Sequence, residues 1–310
     1  MKLRESLKKL LAKVPTNLKK EDVCILILGE TGTGKEVLAE AIHHKLQREG
    51  EFVHVNCNNI QATLFESELF GYEKGAFTGA ERCKRGLVED ANGGTLFLDE
   101  IGNIPMEIQS KLLRLVERKT FRRVGANKER KVEFLLISAT NKNLLELVEK
   151  GKFREDLFYR ISNIILQISS LRENKEEIRE LMADFLEGKN LKFTKEALEF
   201  ILCYPWYGNV RELKNFCKYL ELISNDGEKI DISHLPEYMV RRWCPDERKK
   251  RKTSIKDKLK CMKKQWMKIM ILEYLENGGD LEGLCKELGV KKRQLYNILR
   301  DLNIKINSIN

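Results

Sequence analysis

The sequence predicts an α/β domain on a mainly parallel sheet, then a small helical unit and a C-terminal all-α unit. Three observations predict this order. Up to about residue 170, apolar runs of strand length alternate with segments of helical period, as in βα units around a parallel sheet. From about 173 to 240 the strand-like runs stop and three or four helical patterns follow. Beyond Pro245 and the charged run Arg248-Lys-Lys-Arg-Lys252, only helical periods remain. The expected boundaries are 1–172 for the α/β unit, 173–240 for a helical lid, 241–258 for a basic linker and 259–310 for the terminal unit.

The strands are expected at Cys24–Leu28, Phe52–Asn56, Thr95–Leu98, Phe134–Ser138 and Ile164–Ile168. Each is a short apolar run, as a strand covered on both faces requires. Between them, Val37–Gln47 and Ile108–Glu117 place apolar residues at helical spacing. At 310 residues the chain has room for two or three cores. It contains no run of 18 apolar residues, so no membrane span is expected, and Met1-Lys-Leu-Arg-Glu-Ser6 lacks the apolar core of a secretory signal. The eight cysteines form no CxxC pair, which argues against a zinc or redox motif and suits reduced cytoplasmic thiols. The net charge of +10 is uneven: residues 1–240 carry 38 basic and 38 acidic side chains, and 241–310 carry 19 and 9. A neutral body with a basic tail suits a polyanionic partner, although a solvated linker has the same composition.

Two motifs carry the chemistry. Val23-Cys-Ile-Leu-Ile-Leu-Gly-Glu-Thr-Gly-Thr-Gly-Lys35 is an apolar strand running into a glycine loop and then a helix. Gly29, Gly32 and Gly34 let the backbone of Glu30, Thr31 and Thr33 wrap phosphates, and Lys35 can reach the β- and γ-phosphates of ATP. Glu36 stands where a Ser or Thr hydroxyl usually meets Mg²⁺. A ligand-free glycine turn is the alternative reading. Gly93-Gly-Thr-Leu-Phe-Leu-Asp-Glu100 ends an apolar strand in two carboxylates: Asp99 suits Mg²⁺ held through water, and Glu100 suits polarising the attacking water.

These residues resemble the AAA+ domain of sigma-54-dependent activators, the bacterial enhancer-binding proteins. Gly29-Glu-Thr-Gly-Thr-Gly-Lys-Glu36 is similar to that family's phosphate loop, where Glu after Lys is usual. Glu68-Leu-Phe-Gly-Tyr-Glu-Lys-Gly-Ala-Phe-Thr-Gly-Ala80 resembles its signature segment, with Gly75, Ala76, Phe77, Thr78, Gly79 and Ala80 intact. The resemblance runs from about 20 to 240 and implies that this hexapeptide loop contacts sigma-54. An internal hairpin burying Phe77 is the alternative. The resemblance further implies that Asn56 restrains Glu100, that Asn141 after Thr140 reads the γ-phosphate, and that Arg211 of Gly208-Asn-Val-Arg faces nucleotide from the lid. Phe153-Arg-Glu-Asp-Leu-Phe-Tyr-Arg160 resembles the segment whose arginines reach the next subunit, so Arg154 and Arg160 are finger candidates. Tyr207, where the family has proline, implies a looser turn into the lid helix; Ser169-Ser170 and Tyr72 are further departures. About twenty residues precede the first strand, too few for a receiver or sensor domain, so regulation is expected to come from a partner, to be absent, or to reside in a segment lost from this chain.

At the C-terminus, Lys263–Leu275, Leu281–Leu288 and Lys291–Leu302 read as helices, with Gly289 in the turn before a basic last helix. This is the order of a helix-turn-helix and resembles the Fis-type unit of the same family. Leu295, Leu299 and Leu302 would pack inward, leaving Lys292, Arg293, Gln294, Asn297 and Arg300 for phosphates and base edges. A small protein-binding bundle is the alternative. The combined expectation is a cytoplasmic, ring-forming ATPase, hexameric when active, that binds ATP and Mg²⁺, engages sigma-54 RNA polymerase and binds upstream double-stranded DNA. Its rivals are a DNA-motor or clamp-loading AAA+ ATPase, and a DNA-occupying regulator that uses ATP only for assembly.

Overall fold

A computed structural model describes residues 3–16, 18, 23–58, 61–239, 280–302 and 304, together with 264, 267, 268, 271, 274 and 275. The expected linker 241–258 and its basic run lie outside the described residues. The chain divides into two compact units, 1–177 with 206–213, and 178–205 with 214 onward.

The first unit opens with α1 (Glu5–Ala12), followed by β1 (Cys24–Leu28), α2 (Lys35–Lys45), β2 (Phe52–Asn56) and α3 (Ala62–Phe70). Next come the two-residue strands β3 (Gly71–Tyr72) and β4 (Lys84–Arg85), then α4 (Leu87–Asp90), β5 (Thr95–Asp99) and α5 (Met106–Arg118). A second small hairpin, β6 (Thr120–Phe121) and β7 (Arg130–Lys131), precedes β8 (Leu135–Thr140), α6 (Leu144–Glu149), α7 (Glu155–Ile161) and β9 (Ile164–Gln167). Five strands form a parallel sheet in the order β2-β5-β8-β1-β9.

Period-two alternation divides the buried residues of the sheet between two cores. Cys24 and Leu26 of β1, Leu96 and Leu98 of β5, and Val53 and Val55 of β2 face a core closed by α3, α5 and α7. Ile25 and Ile27, with Phe97 and Ile137, face the opposite core, closed by Leu7 of α1 and by Leu38, Ala39 and Ile42 of α2. Burial on both faces is why β1, β5 and β8 read as apolar runs, while β2 and β9, at the two ends of the sheet, leave His54, Asn56, Ile165 and Gln167 exposed. Helix α5 presents Ile108, Leu112, Leu115 and Val116 on one stripe, each at most 1% exposed.

Register sets the functional edge. Leu28 pairs with Thr140 and Gln167, Asp99 with Ala139, and Asn56 with Asp99, so all five strands deliver their carboxyl ends to one rim. Open parallel sheets bind ligands at this rim, where the connecting loops converge.

Helix α8 covers Lys175–Phe185, and α9 (Lys195–Cys203) begins at Thr194, whose hydroxyl accepts from Ala197 N at 3.2 Å. Helix α10 (Asn209–Ile223) buries Leu213, Phe216, Cys217 and Leu220, an i, i+3, i+4, i+7 stripe. Strands β10 (Lys192–Phe193) and β11 (Lys229–Ile230) form a short parallel pair. Helices α11 (Leu281–Leu288) and α12 (Lys292–Asp301) flank Gly289 at φ +62°, a left-handed helix stop that favours glycine. Leu284, Leu295, Leu299 and Leu302 share a small core with Ile271 and Ile304. Among the described residues no helix is long and apolar enough to cross a membrane.

Candidate functional site

The glycine loop connects β1 to α2. Gly32 lies at φ +81°, and a Cβ there would come within 2.2 Å of the Gly208 carbonyl oxygen, so glycine is required on conformational and steric grounds. Gly34, at φ +88°, caps α2 and directs its first N–H groups into the loop. Thr33 is buried and its hydroxyl donates to Glu30 O at 2.8 Å. Lys35 Nζ donates to Gly29 O at 3.0 Å and to Glu30 O at 3.4 Å, and lies 3.4 Å from Glu100 Oε1.

Glu100 follows β5 in the left-handed region, φ +56° and ψ +47°, which turns its carboxylate from the strand direction back toward the loop. Its other oxygen accepts from Asn141 N at 3.2 Å, and Asn141 Nδ2 donates to Thr31 Oγ1 at 2.9 Å. The central position of β8 explains this: Thr140 and Asn141 leave the sheet between the strand carrying the loop and the strand carrying the carboxylates. Asp99 accepts from Glu100 N at 3.0 Å. Loss of water pushes its carboxyl above the usual range, reinforced by the Glu100 charge and opposed by Lys35 and His54. A loop of N–H donors and an ammonium beside two adjacent carboxylates fits a polyphosphate carrying a hard dication.

Other expected residues are engaged differently. Asn56 accepts from Asn58 N at 2.9 Å through Oδ1 and makes no hydrogen bond to Glu100. Glu36 turns to His54, 3.0 Å from its Nδ1. The side chain of Glu30 accepts from Arg172 and from Asn209 Nδ2. The Arg172 hydrogen bond holds the Glu30 carboxyl below its ordinary range despite partial desolvation. Arg211 is exposed beside Gly32, and Val210 N donates to Gly32 O at 3.0 Å. The turn at Tyr207 is held rather than loose: Asn209 N donates to Trp206 O at 2.7 Å and Gly208 N to Glu212 Oε2 at 2.8 Å.

Two further residues support the loop. Asn209, at φ +50°, donates to Thr31 O at 3.0 Å and accepts from Leu171 N at 2.8 Å. Arg4 donates to Thr33 O and lies 3.4 Å from Glu177, which also accepts from Ser6 at 2.6 Å. Asn209 stands inside the quoted Gly208-Asn-Val-Arg segment, where a signal was present. Arg4 gave none, because its partners are distant in sequence.

The hexapeptide 75–80 lies between β3 and β4. Phe77 is 47% exposed and packs against Tyr72 with ring centroids 5.0 Å apart, so it is not a core residue. Gly75 and Gly79 lie at φ +82° and +96° with open space around them, and the tip owes its shape to those two positions. The second hairpin braces the base: Glu73 N donates to Val124 O at 3.0 Å, and Val124 N to Gly71 O at 2.9 Å. Arg123 joins Glu89, at 2.7 and 2.9 Å, to Glu73 at 3.1 Å. Cys83 is exposed at the foot of this loop. Cys57 is instead buried beneath Asp99, and burial, then the charges of Asp99 and Glu100, push its thiol far up.

Arg154 caps α7 and pairs with Asp156 at 3.0 and 2.7 Å. None of its bonds reaches the glycine loop of its own chain. Arg160 Nη2 donates to Val116 O at 3.2 Å. On α12, Lys292, Arg293, Gln294, Asn297 and Arg300 are all exposed, opposite buried Leu295 and Leu299. Gln294 also accepts from Lys291 N at 3.0 Å, which fixes the helix start.

A family model described as the sigma-54 interaction domain matches residues 2–167, and one described as an AAA+ ATPase lid domain matches 172–252. The chain is 48% identical over 211 residues to the Nif-specific regulatory protein of Azotobacter vinelandii, covering 66% of this chain and 40% of that protein. It is 38% identical over 297 residues to the regulatory protein AtoC of Escherichia coli K12, covering 90% of this chain and 62% of AtoC. The chain thus spans between about two fifths and three fifths of these relatives. Among solved structures, it is similar to NtrX from Brucella abortus in complex with ATP, with a TM-score of 0.74 and 28% identity over 98% of this chain and 70% of that one.

Proposed function

Because the chain belongs to the sigma-54 interaction family of AAA+ ATPases, we propose that it hydrolyses ATP to remodel the sigma-54 RNA polymerase closed complex from an upstream DNA site. The observation that carries this reading is the exposed, glycine-hinged 75–80 tip, held on a rigid base in the same unit as the Lys35–Glu100–Asn141 site.

In this mechanism the loop backbone from Gly29 to Gly34, with Lys35, binds and orients the phosphates, and Asn141 reads the γ-phosphate. Arg211 stands beside Gly32 to meet nucleotide. Glu100 takes up the proton of the attacking water, directly or through the phosphate. Asp99 is the residue that would hold Mg²⁺ through water, and the ion would supply charge neutralisation on the phosphates. Arg154 and Arg160 serve the nucleotide of a neighbouring subunit in a homo-oligomeric ring, a hexamer when active. The absence of any bond from Arg154 to its own loop supports that assignment. Asn56, at the same rim as Asp99, restrains Glu100 in a state other than the one seen, where its amide serves Asn58.

The decisive experiment separates hydrolysis from remodelling. Thr78→Ala removes one exposed hydroxyl far from the phosphate-binding groups, so ATP hydrolysis should stay within about threefold of the parent, a change of less than ~1 kcal/mol in barrier. Sigma-54 engagement and promoter melting should be lost. Normal promoter melting by this variant, measured beside its ATPase rate, would remove the loop from the mechanism.

The basic face of α12 is assigned to DNA. Lys292→Ala and Arg293→Ala should weaken binding and each lower the salt slope of log Kd by about 1 where a phosphate contact is lost. Unchanged affinity and slope in both variants would return α11 and α12 to a protein-binding role.

A further inference from the structure

The geometry points to Gln109 as the positioning residue that sets Arg154 for the neighbouring subunit and couples it to the segment leaving Glu100; this rests on the trans-arginine reading above. The Gln109 side chain is fully buried on α5, and its primary amide is used on both ends. Nε2 donates to Ile104 O at 2.8 Å and to Lys152 O at 3.1 Å, while Oε1 accepts from Arg154 N at 2.8 Å. Ile104 ends the short turn Ile101–Asn103 that begins directly after Glu100. Lys152 and Arg154 flank Phe153, whose ring is buried in the core. One side chain therefore bonds the backbone that departs from the catalytic carboxylate of its own site and the backbone that presents the arginine for another.

The rest of α5 supports this reading. Val116, seven residues and two turns beyond Gln109, offers the carbonyl that receives Arg160. Positions 109 and 116 share a helix face, so one rigid element carries the support of both arginines. Lys152 N and Phe153 N also bond Leu147 O, at 2.8 and 3.1 Å, so removing the amide should loosen the segment without releasing it. A buried amide that bridges two segments transmits a shift of one to the other, because leaving any of its partners unpaired in the interior is costly. A change at Glu100 on nucleotide binding would then reach Arg154, giving communication between adjacent sites around the ring.

The test uses the full chain with Gln109→Met, which keeps side-chain length and apolar contact but removes the amide. Nucleotide affinity should stay within about twofold, while kcat falls roughly 10- to 100-fold, the scale of a misplaced catalytic group. Rings mixed with Lys35→Ala should regain turnover, because they pair an intact site in the Gln109 variant with a well-positioned arginine. Rings mixed with Arg154→Ala should not. Unchanged turnover, rescue by Arg154→Ala instead, or rescue by neither with a lowered Tm would each overturn the assignment. The Lys35→Ala and Arg154→Ala pair, mixed as a control, reports separately on the trans reading itself. If Gln109→Met does not fold, Gln109→Leu goes through the same mixing: it also removes the amide, leaves no buried charge beside the Ile104 and Lys152 carbonyls, and should show the same rescue pattern.

Discussion

Glu100→Gln is expected to bind ATP as the parent does and to lose on the order of 10²–10⁴-fold of its hydrolysis rate, the range for removal of a positioned general base. The substitution preserves shape. The single amide oxygen of glutamine can keep either the place facing Lys35 Nζ, 3.4 Å from one carboxylate oxygen, or the bond from Asn141 N to the other, but not both. Lys35 keeps its bonds to the Gly29 and Glu30 carbonyls, so the loss should fall on kcat rather than on nucleotide affinity. What the amide cannot do is polarise the attacking water or take its proton. Single-turnover hydrolysis beside equilibrium nucleotide binding measures the two effects separately. Parental turnover by this variant would move the catalytic role to another carboxylate, and Asp99 is the adjacent candidate.

The largest loss is expected from Arg154→Ala. An arginine that stabilises charge on a transferring phosphoryl contributes roughly 10³–10⁵ in kcat. The Arg154 side chain is exposed and paired with Asp156, and it is raised above its ordinary pKa by that hydrogen bond and then by the carboxylate charge, so it stays cationic. Truncation should leave the fold and the chain's own nucleotide binding intact. Mixed with Lys35→Ala, which lacks its own phosphate lysine but keeps both arginines, the variant should recover turnover at interfaces that pair the two intact halves. Verified mixed rings without recovered turnover would mean that Arg154 acts elsewhere.

The core strands were legible because a strand buried on both faces shows itself as an apolar run. Cys24–Leu28 and Phe52–Asn56 stand where expected, and the third strand runs one residue further, to Asp99. The fourth, expected at Phe134–Ser138, starts at Leu135 and runs to Thr140, since β8 pairs on both sides along its length. The fifth ends at Gln167 rather than Ile168. Helix α2 begins at Lys35 rather than Val37 because left-handed Gly34 starts it inside the loop, and it ends at Lys45, shortly before Gln47 at φ +48°.

Two-residue strands have no periodicity to read, so both small hairpins and their contact through Val124 escaped the sequence. The phosphate-binding residues were readable because their loop is local. Arg4, Asn209 and Gln109 were not singled out, because each acts on backbone that only folding brings near. Asn56 illustrates a different limit: the resemblance implies a restraint on Glu100, but here its side-chain oxygen accepts from Asn58 N.

The contrast between Cys57 and Cys83 has a practical side. The Cys57 thiol beside Asp99 and Glu100 is shielded and held protonated, as is Cys217, whose pKa burial raises to about 12. Cys83 is the exposed one among the described cysteines and lies three residues past the hexapeptide. A maleimide dye or spin label placed there would sit at the foot of the loop, leaving Phe77 and Thr78 unmodified. The native chain thus offers an attachment point for following that loop through a turnover cycle by fluorescence or electron paramagnetic resonance.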